Sequence, residues 1–226
     1  MERRTGHYVL SIGLNLACIA GTAAAMVAVG PSWWQLAFAL PAAVFAARTC
    51  FLGHDAGHQQ IARDHKTNRR LGLLHGNLLL GMSYGWWTTK HNRHHANPNH
   101  VAKDPDVGVG ALAWTEEHAR SRRHRVTRWL TRNQAALFFP MLLLEGFNLK
   151  ISSIRDVRNR TTSEQRLEVT LLAVHLVAYV GFLLLVMSPL QALAFVVLHH
   201  ALLGVHLGSA FAPNHKGMPM PQPGQR

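Results

Sequence analysis

Hydrophobic residues in this chain fall in long unbroken runs rather than at the spacing of an amphipathic surface helix or strand. Residues 8–29 (YVLSIGLNLACIAGTAAAMVAV) carry no charge, and about 20 apolar residues are enough to cross a bilayer as a helix. A second run, 32–52, follows directly across the turn residues Gly30 and Pro31. A third covers 167–187, with Glu168 at its start, and a fourth covers 190–212 after the Ser188-Pro189 turn. The pattern predicts an all-α integral membrane fold with four transmembrane helices in two hairpins. The hairpins are separated by a helical segment, residues 53–166.

Two further apolar stretches interrupt that segment. Residues 71–87 (LGLLHGNLLLGMSYGWW) hold four glycines, His75 and Asn77, and residues 135–149 contain Pro140 and Glu145. If either one crossed alone, the flanking hairpins would face opposite sides. Both are therefore read as helices lying in the interface, with Trp86 and Trp87 in the headgroup layer. The N-terminal MERR, an apolar run and the small residues of 22–25 mimic a signal peptide. The length of the run and the second span that follows at once favour a retained anchor. No internal repeat and no second, soluble domain is visible, so residues 1–226 read as one membrane domain.

Charge then orients the chain. Only 15% of the residues are charged, against about 25% in soluble domains, yet Lys and Arg number 23 against 11 Asp and Glu, a net charge of +12. Eighteen of the 23 basic residues lie between 53 and 166, and none lies in the two tight turns. The positive-inside rule puts the N-terminus, segment 53–166 and the C-terminal tail in the cytosol. The arginines at 120, 122, 123, 125, 128 and 132 suit anionic lipid headgroups, or the phosphate end of an activated acyl carrier, better than nucleic acid. Cys18 and Cys50 sit in apolar surroundings and read as small buried residues rather than a disulfide.

The candidate chemistry is histidine. Asp55-Ala56-Gly57 is flanked by His54 and His58, and the string HNRHH supplies His91, His94 and His95. Neutral imidazole is the commonest metal-ligand side chain. Residues at i and i+4 lie within about 40° on a helix, while i+3 falls about 60° to the other side. The second box can therefore serve two ions. Asp55, Asp104 and Asp106 are placed to orient ligand rings through their free N–H, and Asp55 is the strongest of the three. His75 and His100 flank the boxes. His7, His65, His118 and His124 read as solvated or interfacial. His175, His199, His200 and His206 lie within spans, packed on one another or on backbone carbonyls, with lining of an acyl tunnel as the alternative.

The string HDAGH followed by GNLLLGMSYGWWTTKHNRHHANPN, with FAPNHKGMP at 211–219, resembles the membrane fatty acid desaturases, in particular bacterial acyl-lipid and acyl-CoA desaturases. The resemblance runs from about residue 30 to 219. It implies a histidine-ligated pair of iron ions that activates dioxygen, with His54, His58, His91, His94, His95 and His215 as ligands. It also implies a fatty acyl substrate held among membrane lipids, and insertion of a double bond into it. With no haem motif and no nucleotide-binding glycine pattern in the sequence, electrons would come from a separate reductase or ferredoxin. The expected location is a bacterial cell membrane, with the boxes on the cytosolic side. The family's third box, H/Q-x-x-H-H, is missing before the chain ends at Arg226. The chain therefore reads as a domain cut short. An inactive remnant that binds metal or a partner is the main alternative, a hydroxylase on the same scaffold a lesser one, and a histidine-rich metal transporter a distant third.

Overall fold

The computed structural model describes residues 4–108, 110–159, 163–214, 218–222 and 224. Among these every regular element is helical. The order is α1 (Thr5–Val29), a 3-10 turn (Trp33–Phe38), α2 (Ala39–Gly57), α3 (His65–Leu73), a π-helical turn (Leu74–Leu80), α4 (Tyr84–Ala96), α5 (Glu116–Arg120), α6 (Arg125–Arg132), α7 (Gln134–Leu142), α8 (Glu145–Arg158), α9 (Ser163–Val186), α10 (Pro189–Phe211) and a last 3-10 turn (Ala212–Asn214).

Four segments are long and apolar enough to cross a membrane: α1, the 3-10 turn joined to α2, α9 from Glu164, and α10. Their surroundings differ. Only 11% of the most apolar stretch of α1, and the same share of α9, is buried inside the protein, against 39% for the α2 segment and 44% for α10. Val177 and Leu185 on α9 are 72% and 86% exposed. Such all-round apolar helices are stable only where lipid replaces water. The middle of the protein is α10, packed on α2 and α8, with α1 and α9 outside.

Polar side chains fix the hairpins where lipid offers no hydrogen bonds. Gln35, fully buried, donates from Nε2 to the carbonyls of Met26 and Gly30, both at 2.7 Å, and so ties the α1–α2 turn. Asn15 donates to Thr49 Oγ1 at 2.8 Å across the same pair of helices. Ser188 caps α10 in a capping box with Gln191, and Pro189 occupies the first turn. The Ser-Pro pair thus ends one span and starts the next.

The two stretches assigned to the interface differ in how they pack. Residues 71–80 finish α3 and form the π-helical turn, where His75, Gly76, Asn77 and Leu80 are buried. Their polar groups find partners inside the protein: His75 Nδ1 donates to the Leu71 carbonyl at 2.8 Å, and Asn77 bonds to Tyr84 N and Glu168. Stretch 135–149 becomes α7 and α8, bent by 71° between Leu142 and Glu145. Phe139 and Leu144 of this bent pair are 64% and 65% exposed, whereas α8 packs on α10.

That last packing is backbone against backbone. A Cβ on Gly204 would stand 2.3 Å from the Leu142 carbonyl oxygen and 2.7 Å from Gly146 N. Small residues at such crossings are the usual means of close helix approach in membranes. Gly204→Val should cost about 1–3 kcal/mol or more through overpacking and lower the unfolding temperature in detergent. Gly181→Ala, where nothing lies within 4 Å, should leave it unchanged or raised. Equal unfolding temperatures for wild type and Gly204→Val would contradict this packing.

Candidate metal centre

Helix α2 does not stop at the membrane-length run but continues through the first histidine box. His54 lies in its last turn and His58 is the C-cap, and their ring centroids are 4.5 Å apart. The second box ends α4, whose start is capped by Ser83: its Oγ accepts from Trp86 N at 3.0 Å. His91 and His95 then meet edge to face one turn apart, centroids 4.4 Å and planes at 77°.

The two boxes meet. One ligand atom from each of His54, His58, His91 and His95 lies within 4.8 Å of all the others. His91 Nε2 is 3.0 Å from His58 Nε2 and 3.0 Å from His95 Nε2. One ring nitrogen carries at most one proton, so it cannot satisfy two neighbours that also point lone pairs inward. A shared cation can. Imidazole–metal bonds of about 2.1 Å at right angles separate nitrogens by roughly 3.0 Å, so the donor set fits a metal ion.

Electrostatics agree. Burial first, and then the neighbouring rings of His54, His95, His58 and His94, push the His91 imidazole down to about 3. His58 and His95 are lowered too, again chiefly by burial. These three rings are therefore neutral at pH 7, the form that binds metal.

His94 faces the other way, as its i+3 position dictates. Its Nδ1 donates to Asp104 Oδ2 at 2.8 Å, with Asp106 Oδ2 at 3.6 Å, and the three form a second group able to hold an ion. Asp104 also accepts from Asn99 N at 2.7 Å and Asp106 N at 2.8 Å. Burial alone would raise its carboxyl, but these donors hold it below the usual range. With Nδ1 committed, His94 offers Nε2. Asp55 does the same for His54, Oδ1 to Nδ1 at 3.2 Å, and is itself held by the Tyr8 hydroxyl at 3.1 Å. Asp106 pairs with Lys90. His215 lies outside the described residues.

Several supporting groups were not evident from sequence. Trp87, read from sequence as a headgroup-layer residue, stacks on His91 at 4.4 Å and 23°. It covers Gly57, where a Cβ would stand 2.6 Å from the ring, so space fixes glycine at that position of the first box. Glu168 is 5% exposed. It accepts from the Ser83 hydroxyl, and from Asn77 Nδ2 and Gly85 N at 3.3 Å each, so it pins α9 to the start of α4. The available signal was an acidic residue at the head of an apolar run, where charge is costly. Of the histidines read as solvated, His7, His65 and His124 are exposed, but His118 is 8% exposed. It sits on the short helix α5, whose length left no periodicity to reveal an inward face.

A family model described as fatty acid desaturase covers residues 31–226. The chain belongs to the fatty acid desaturase family. It is 25% identical to an acyl-lipid (9-3)-desaturase of Physcomitrium patens over 94% of this chain and 42% of that one. It is 33% identical to fatty acid desaturase 3 of Bos taurus over 54% and 29%. A Delta 8-(E)-sphingolipid desaturase of Komagataella phaffii is 26% identical over 52% and 24%. The chain thus spans less than half the length of these curated relatives. No solved structure matches it. In this desaturase-family chain, oriented ligand rings should matter as much as the rings themselves. Asp104→Asn should weaken Co²⁺ binding, read by optical titration, about 10–100-fold, while Glu116→Gln on exposed α5 leaves it unchanged. Unaltered Co²⁺ affinity in Asp104→Asn would show that His94 needs no such partner.

Proposed function

We propose that this chain carries the metal centre and apolar core of an oxygen-dependent fatty acyl desaturase. His54, His58, His91, His94 and His95, and by resemblance His215, are assigned as ligands of a pair of iron ions. The observation that carries the reading is the convergence of ring nitrogens from two separate helices at the end of a membrane-length helix. When bound, iron supplies the activation of dioxygen.

The chain's own residues do the rest. Asp55 and Asp104 hold the His54 and His94 rings with Nδ1 as donor, which leaves Nε2 free for the ion. Trp87 closes one side against water. A small gap of about 10 Å³ beside His54 is lined by Cys50, Gly53, Leu80 and Met82. Its apolar lining keeps water from that side of His54, and an acyl chain held beside the cluster would have its reacting carbons fixed. Removing two hydrogens while dioxygen becomes two waters consumes two electrons and two protons. A reductase or ferredoxin is the electron source in this reading. The basic segment 53–166 and the boxes face the cytosol of a bacterial cell membrane. The substrate in this reading is an acyl chain carried as an acyl-CoA or in a lipid, the latter in keeping with the name of the acyl-lipid desaturase relative.

Expression in a bacterial host supplied with a ferredoxin and its reductase, followed by lipid profiling, tests this directly. New double bonds in acyl chains, iron present as a pair per chain by elemental analysis, and loss of both in His91→Ala are expected. Hydroxylated chains in place of unsaturated ones would contradict the assigned reaction, and an iron-free protein would contradict the assigned ligands.

A further inference from the structure

Helix α6 stands apart from the packed protein. It is eight residues long, none of its side chains is buried, and the element it packs on is α7. Isolated helices shorter than about 12–15 residues are marginal in water. Neither length nor internal packing accounts for this one, which points to a surface outside the chain.

Its sequence, RVTRWLTR, has two faces. At 3.6 residues per turn, Val126, Trp129 and Leu130 fall within about 100° of arc, and Arg125, Arg128 and Arg132 within about 60° beside it. Val126 and Trp129 are 68% and 56% exposed. The three arginines are exposed too, as is Arg123 just before the helix. Arg120 pairs with Glu116, and Arg122 bonds to the carbonyls of Gly110 and Leu112. Arg123, Arg125, Arg128 and Arg132 form no ion pair among the described residues. Four uncompensated cations therefore border an exposed apolar strip.

The position of α6 says what lies opposite. α7 follows across Asn133 and packs on the span α10, with the Leu142 side chain over Gly208 near the end of that span. Phe211, which ends α10, meets Phe51, three residues before the first histidine box, at 6.0 Å. α7 therefore lies at the membrane face that carries the boxes, and α6 adjoins it. Farther along the same chain, Phe139, Leu143 and Leu144 are exposed as well. A soluble polyanion would answer the arginines but leave Val126 and Trp129 in water. A bilayer surface with anionic headgroups answers both. Tryptophan rings sit at headgroup level, and arginine stems lie along apolar surface with their guanidinium groups at the phosphates.

We propose that α6 is an interfacial helix that binds anionic phosphodiester headgroups of the bilayer surface on the histidine-box side. Arg123, Arg125, Arg128 and Arg132 hold the headgroups, and Val126 and Trp129 enter the layer below them. Each cation near an anionic surface contributes about fivefold to such binding. α7 continues into α8, which packs on α4 and α10, so the anchored helix steadies the segment behind the second box. The proposal goes beyond the desaturase reading and does not rest on it, since its readout needs neither iron nor turnover.

The test is amide hydrogen exchange of the full chain in nanodiscs, made of phosphatidylcholine alone or of phosphatidylcholine mixed with phosphatidylglycerol. Amides of 126–132 should exchange at least about tenfold more slowly in the mixed discs, and the difference should shrink at high salt. Arg125→Gln, Arg128→Gln and Arg132→Gln combined should abolish it, with α9 and α10 exchanging as in wild type to show that the variant is folded. Should the triple variant fail to fold, the wild-type comparison of the two lipids still decides. Equal exchange in both lipids, or a lipid difference that survives in the folded triple variant, would overturn the proposal. So would matching protection in phosphatidylcholine discs on addition of coenzyme A or an oligonucleotide, which would assign the arginines to a soluble phosphate.

Discussion

Two helices from different parts of the chain must approach closely enough for imidazole nitrogens to come within 3.0 Å, and Gly57 permits it. A side chain there would collide with Trp87, the residue that starts the turn leading to His91. Were α4 lifted away by one side chain's width, His58 and His91 would no longer share a cation. The close approach also half-buries His58 and His91, which with the neighbouring rings keeps them neutral, and neutrality makes them ligands rather than surface cations. Space, burial and metal chemistry thus follow from one contact.

The rest of the protein holds that contact in place. The cap of α4 is tied through Ser83 and Asn77 to Glu168 on α9, and the end of α2 is tied through Asp55 to Tyr8 on α1. The outer, lipid-facing helices therefore both send polar side chains to support an element bearing a histidine box. α10 sits between the spans and carries α8 on its glycine face. The membrane helices are thus the frame of the site as well as its anchor. The same frame encloses a largely apolar cavity, and Leu80 lines both that cavity and the gap beside His54.

The elements legible in the sequence were those set by local pattern. Runs of 20 or more apolar residues marked the spans because no other structure accommodates them in lipid. Spacing of i and i+4 placed His54 with His58 and His91 with His95, and the i+3 offset of His94 anticipated its turn toward Asp104 and Asp106. Long-range partners were not legible. Residues 71–80 have the composition of an interfacial helix, yet they are buried because Glu168, some 85–91 residues away, answers Ser83 and Asn77. Trp87 has the composition signature of a headgroup anchor, but its ring was claimed by Gly57 and His91. Burial of His118 depended on a short helix with no pattern of its own.

The central claim is that imidazoles from both boxes surround the same bound ion. X-ray absorption at the iron edge of the iron-loaded protein counts them directly through imidazole multiple scattering. The account predicts a shell dominated by imidazole nitrogen that loses scattering in His58→Ala, on one helix, and in His91→Ala, on the other. A shell unchanged by one of these substitutions, or one made mainly of oxygen, would contradict it.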